Sequence, residues 1–143
     1  MALDLERIGD LAKNCAKRLL TIGDQHGALP RSGLEQLHRQ VVEQLHLIGN
    51  LIVVHDAESI DGVLKHDSNV DELFNSVFRE IMDLMVHDPD FVPVGVHAMF
   101  VAKNLERIGD HVTNIAESLH YVSSGNFDAG LRAKSDITPL IIS

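Results

Sequence analysis

The hexapeptide LERIGD occurs twice, at residues 5–10 and 105–110, and an asparagine follows each copy four residues on, at Asn14 and Asn114. Laying residues 1–22 on residues 101–122 without a gap gives ten identities. They are Ala2, Leu5, Glu6, Arg7, Ile8, Gly9, Asp10, Asn14, Ala16 and Leu19, each matched 100 residues later. An ungapped match of this kind reads as an internal duplication with a period near 100 residues. Whatever lies between the two copies must then be one structural unit, and the fold must hold both copies in equivalent roles.

The intervening unit reads as helix throughout. Leu34, Leu37, Val41, Leu45, Ile48 and Ile52 recur at helical spacing, as do Ile60, Val63, Val70, Phe74, Val77, Ile81 and Met85. A third stripe runs Val101, Leu105, Ile108, Val112, Ile115, Leu119 and Val122, and the opening segment repeats it with Leu5, Ile8, Cys15, Leu19 and Ile22. Gly and Pro punctuate Asp24–Gly33, His55-Asp56 forms a tight turn, and Asp88–Pro93 is a short loop. The expected fold is all-α: a complete three-helix bundle over residues 34–124, preceded by the last helix of an incomplete first repeat at residues 1–24. Residues 25–33 link the two, and residues 125–143 form a C-terminal tail. Short connections favour antiparallel neighbours. The first helix carries an apolar stripe with two bundle partners missing. It must pack on the remaining bundle, pair with a second copy, or leave an apolar patch, and self-association through it is expected.

Charge narrows the partners. A net charge of −9 argues against nucleic acid, which calls for a basic stripe, and suits a basic surface or a cation. The single Cys15 excludes an internal disulfide and fits a reducing compartment; on the apolar stripe it reads as a small core residue. Asp4, Glu6 and Asp10 stand where a signal peptide would be basic, and no apolar run reaches the roughly 18 residues of a membrane span.

The acids carry the candidate chemistry. Glu106 and Asp110 stand at i, i+4 on one helix face, and Asn114 continues the line one turn later. Asp67 and Asp71 repeat the spacing on the preceding helix, where they interrupt an apolar stripe. If those helices are antiparallel neighbours, four carboxylates and an amide oxygen converge. A cation best relieves such repulsion, and oxygen ligands suit iron(III), manganese, magnesium or calcium better than structural zinc. Two plainer readings stand beside this one. Glu106, Asp110 and Asn114 lie away from the apolar stripe, where a solvated face would be. Asp67 or Ser68 could N-cap a helix with Asp71 or Glu72 in its first turn. Arg7 and Arg107 are placed to pair with Asp10 and Asp110 at i, i+3. Gly9 and Gly109 fall inside helices and mark either a close approach or simple tolerance.

The nine histidines raise an enzymatic alternative. Glu35/His38, Glu43/His46 and Glu117/His120 have the Glu-x-x-His spacing of di-iron bundles, whose ligands face the core. Glu43 and Glu117 project away from their apolar stripes, so a metal–carboxylate bundle with a redox or storage role fits less well than a solvated surface. No glycine-rich phosphate loop or Ser/His/Asp ordering points to catalysis.

The two LERIGD-x3-N segments, KHDSNVDELFNSVFREIMDLM at Lys65–Met85 and FVAKNLERIGDHVTNIAE at Phe100–Glu117 together resemble the PhoU family, and the resemblance runs from residue 2 to about residue 124. Members of that family are two tandem three-helix bundles, so by resemblance this chain lacks the first two helices, as a fragment, a mis-assigned start or a genuine truncation. The resemblance implies a non-enzymatic cytoplasmic regulator. It would act with the phosphate ABC transporter and its sensor histidine kinase, repress the phosphate-starvation response, and form a homodimer. It also implies a cluster of metal ions on E/D-x3-D motifs. The matching positions are Asp67, Asp71, Glu106 and Asp110, with Glu6 and Asp10 in the first copy and Asn114 and Asn14 as further candidates. The first copy lacks its facing helix and supplies half a site.

Overall fold

The computed structural model of the protein describes residues 1–29, 31–54 and 57–124. Helix α1, Ala2–Ile22, ends at Gly23, whose φ of 54° is left-handed and strained for any residue with a Cβ; its N–H donates to the Leu19 carbonyl. A 3-10 turn over Gly23–Ala28 follows, and α2 spans Arg31–Val54. The loop expected over Asp24–Gly33 is therefore shorter. Ser32 and Gly33 enter the first turn of α2, where backbone N–H groups have no intrahelical partner to lose.

Helix α3 runs unbroken over Ala57–His87. That removes the N-cap reading of Asp67 and Asp71, which sit well inside the helix. At its end the Asp88 N–H donates to Leu84 O at 2.9 Å, and Pro89 stops propagation. Asp88 Oδ1 accepts from the Asp90 N–H at 3.1 Å and Asp88 O from the Phe91 N–H at 3.0 Å. This cap drives Phe91 inward, 5% exposed, and starts α4, Val92–Ser124. The turn at His55-Asp56 and the tail at 125–143 lie outside the described residues.

Helix α4 is the centre of the molecule, packed against α1, α2 and α3. Helix α1 lies antiparallel to it: Asp4 meets His111, Asn14 meets Asn104, Cys15 meets Val101 and Arg18 meets His97. The two LERIGD copies thus face each other in opposite directions, and the duplication becomes a local pseudo-twofold. The α1 stripe packs on the rest of the bundle by burying Cys15 and Ile22 and half-burying Ile8 and Leu11, while Leu3, Leu5, Leu19 and Leu20 stay exposed. Burial pushes the Cys15 thiol pKa up, which suits an inert core residue.

The core divides in two. One cluster gathers Leu37, Val41, Val70, Val77, Ile81, Phe91, Leu105 and Ile108, and the other Ile48, Leu51, Ile60, Val63, Val112, Ile115 and Leu119. On α2 the buried positions 37, 41, 44, 48 and 51 keep a 4-3-4-3 rhythm, and on α3 positions 60, 63, 67, 70, 77 and 81 belong to the same kind of stripe. Gln44 and Asp67 occupy stripe positions where the two clusters meet. Together with Thr113 they form a polar layer across the core.

No described helix is long and apolar enough to cross a membrane. The two mid-helix glycines differ in surroundings. A Cβ on Gly109 would meet Gln44 Oε1 at 3.0 Å and Val70 Cγ1 at 3.5 Å, whereas one on Gly9 would meet nothing within 4 Å among the described residues. Gly9→Ala is therefore expected to stabilise by about 1 kcal/mol, the ordinary helix-propensity gain. Gly109→Ala should lose that gain to crowding and melt at or below the parent temperature. Equal melting shifts for the two variants would contradict the packing described.

Candidate metal centre

Asp67, Asp71 and Asp110 bring one carboxylate oxygen each to within 4.8 Å of one another. Asp67 and Asp71 reach the site from successive turns of α3, and Asp110 from the antiparallel turn of α4. Asp67 is 2% exposed and Asp71 and Asp110 are half-buried. Asp67 Oδ1 accepts from the Thr113 hydroxyl at 3.2 Å. That hydroxyl also stands 3.1 Å from the Gly109 carbonyl, so its one proton serves one acceptor at a time.

The electrostatics are those of acids held together without enough compensation. Burial, then Glu106, then Asp71 push the Asp110 pKa up to about 7, with Lys103 and Arg107 opposing. Burial and Glu106 raise the Asp71 carboxyl, again against Lys103. Asp110 Oδ2 is buried with no hydrogen-bond partner among the described residues, a costly arrangement for a carboxylate. Near neutral pH a proton on Asp110 relieves the strain in part.

These residues fit a hard cation. Oxygen ligands at roughly 2.0–2.6 Å from one ion lie no more than about 5 Å apart, the span of this triad. The orphaned Asp110 oxygen supplies a donor that no group among the described residues uses. Glu106 borders the triad, but its Oε2 is held by Lys103 Nζ at 2.7 Å, and Lys103 rests 5.2 Å from the centre of the Phe74 ring. The ammonium thus serves as a resident counter-cation beside the triad. Asn114 is half-buried one turn beyond Asp110.

The first-copy candidates are placed differently. Glu6 and Asp10 are exposed on α1, and among the described residues no third His, Cys, Asp or Glu gathers with them. Asn14 Oδ1 accepts from Asn104 Nδ2 at 2.8 Å and Arg18 Nε at 3.0 Å, so it fastens α1 to α4. The expected pairs of Arg7 with Asp10 and Arg107 with Asp110 do not form as close ion pairs among the described residues, although the Arg107 charge still acts on Asp110; both arginines line the groove between α1 and α4. Glu35, His38, Glu43 and His46 are exposed, consistent with a solvated surface rather than a di-iron core, whereas Glu117 and His120, expected on the same kind of surface, are half-buried.

The solvated-face reading of α4 fails because three helices surround α4, so even its less apolar flank is covered. Glu106 retains only 14% side-chain exposure. Two contributors escaped sequence reasoning. Gln44 is fully buried with both amide atoms unpartnered among the described residues, and Thr113 is 7% exposed. Gln44 had a signal: it falls between Val41 and Ile48 at the spacing of a core position. Thr113 had none, because a buried threonine in a helix is common.

The chain matches the PhoU domain over residues 34–119. It is 38% identical over 141 residues to a phosphate-specific transport system accessory protein PhoU homolog of Rhizobium meliloti (strain 1021), covering 96% of this chain and 59% of that protein. It is 34% identical over 123 residues to the Escherichia coli (strain K12) phosphate-specific transport system accessory protein PhoU, covering 85% of this chain and 51% of the relative. The crystal structure of the phosphate transport system regulatory protein PhoU from Streptococcus pneumoniae superposes with a TM-score of 0.77 at 27% identity, over 87% of this chain and 59% of that one. The chain therefore spans little more than half the length of these relatives. Matched by domain, by sequence and by helix arrangement, the chain belongs to the PhoU family.

Proposed function

We propose that the protein is a non-catalytic regulatory accessory of phosphate uptake, working at the cytoplasmic side of the phosphate ABC transporter and its sensor histidine kinase. In this reading it represses the phosphate-starvation response when phosphate is ample. The observation that carries the proposal is the similarity to accessory proteins of the phosphate-specific transport system across nearly all of this chain.

The α3–α4 acids are the proposed metal centre, with Asp67, Asp71 and Asp110 as ligands, Glu106 and Asn114 as flanking donors, and Glu6, Asp10 and Asn14 as the half-site of the first copy. A bound iron, manganese or magnesium ion would neutralise the acids and set the spacing of α3 and α4. The protein's part is to hold the carboxylates in a half-buried layer braced by Thr113. The exposed Leu3, Leu5, Leu19 and Leu20 on α1 support self-association as a homodimer. A redox or storage role has no inward Glu-x-x-His pair at Glu35/His38 or Glu43/His46 to support it.

The test is genetic. In a bacterium deleted for its own PhoU and carrying a phosphate-starvation reporter, expression of this chain is expected to restore repression in phosphate-rich medium. Full derepression, with the chain present and folded, would overturn the proposal.

A further inference from the structure

We infer that the groove between α1 and α4 is a binding site for a phosphoryl-type dianion, separate from the acids of α3 and α4. The groove encloses about 350 Å³ and is lined by Arg7, Asp10, Asn14, Arg18, Arg107 and His111, among others. Three arginines and one aspartate line it, in a chain whose net charge is −9. A cationic groove in an acidic protein needs a reason, and packing does not supply one.

The guanidiniums divide into two kinds. Arg18 is fixed: its Nε donates to Asn14 Oδ1 at 3.0 Å, a terminal nitrogen lies 3.2 Å from His97 Nδ1, and its Cζ stacks 3.9 Å above the Phe100 ring. Arg7 and Arg107 make no hydrogen bond or close ion pair among the described residues, although each has an aspartate three residues on; Arg107 acts on Asp110 only through the longer-range attraction of its charge. They are the same residue of the two LERIGD copies, carried into one groove from opposite sides by the antiparallel crossing of α1 and α4. Two guanidiniums with no hydrogen bond among the described residues, one from each helix that lines the groove, suit an anion that offers several oxygens in different directions. A tetrahedral phosphoryl dianion does this, and its charge matches two guanidiniums. Asp10 opposes binding, and His111 is engaged with Asp4 at 3.0 Å. A single carboxylate ligand would satisfy only one fork.

The groove exceeds the size of bare phosphate, so the dianion could arrive free or as the end of a phosphomonoester. The experiment is calorimetric and NMR titration of the full chain with inorganic phosphate and, separately, with adenosine monophosphate, at constant ionic strength. Saturable binding of either, centred on α1 and α4 amides and weakened at least tenfold in Arg7→Gln and in Arg107→Gln, is the expected result. Binding of phosphate assigns the free ion, and binding of the nucleotide alone assigns a phosphomonoester. Arg7→Lys, which keeps charge but loses the fork, should weaken binding partially, and Arg79→Gln on α3 should leave it unchanged. Melting curves of the variants establish that they fold. Absence of saturable binding for both probes, or binding that Arg7→Gln and Arg107→Gln leave intact, would overturn the inference.

Discussion

Replacing Asp110 with Asn is expected to raise the stability of the metal-free protein at pH 8, although most substitutions of partly buried residues lower it. Asn keeps the shape of the side chain and removes the charge. In the native protein that charge is disfavoured by burial, by Glu106 and by Asp71, which lift its pKa from 3.8 to about 7. The raised value means that the folded state holds the proton more tightly than the unfolded state does. The penalty is thus fully present above about pH 7 and fades as the pH falls toward 4. A shift of about three units bounds the effect near 4 kcal/mol, and partial solvent screening reduces it to about 1–3 kcal/mol. Urea denaturation at pH 8 should show the variant ahead by that margin, and at pH 4.5 the two should converge. A variant less stable at pH 8 would mean that the Asp110 carboxylate has a structural partner. The same substitution should remove metal binding, a case of stability set against function.

Ile115→Ala is expected to cost about 2–5 kcal/mol, the largest loss anticipated for a single apolar substitution here. Ile115 is 0% exposed and sits on α4 among Ile48, Leu51, Ile60, Val63 and Leu119, where α2 and α3 meet it. A domain of this size has a total stability of about 5–15 kcal/mol, so the variant should unfold at much lower urea concentration with little change in slope. Val54→Ala, at 69% exposure on the end of α2, should stay within about 0.5 kcal/mol of the parent. Similar losses for the two would contradict the placement of α4 at the centre of the bundle.

Helix number and type were legible because the apolar stripes on α2, α3 and α4 keep the helical period for many turns. The unbroken run of α3 was legible only in part. HDSNVDE looks like a helix start when read locally, and only tertiary burial shows that Asp67 occupies a core position of a longer stripe. The pairing of Asp67, Asp71 and Asp110 followed from i, i+4 spacing on helices expected to be antiparallel. The depth of that site did not follow, because α4 has helices on three sides and a helical projection assumes one buried face. The arginine pairs were legible only in part for a related reason: Arg107 acts on Asp110 through its charge without a close ion pair. Arg107 has Asp110 at the right spacing on its own helix, but α1 offers a groove that the spacing within one helix cannot reveal.

The most direct test of the metal centre is elemental analysis of the purified chain beside Asp67→Asn and Asp110→Asn, each after exposure to iron, manganese or magnesium and removal of free ion. Stoichiometric metal in the parent, lost in both variants while they remain folded, is the predicted result, since the ligands come from two helices. Metal absent from the parent, or retained equally by all three proteins, would contradict the account and leave the buried acids without a cation.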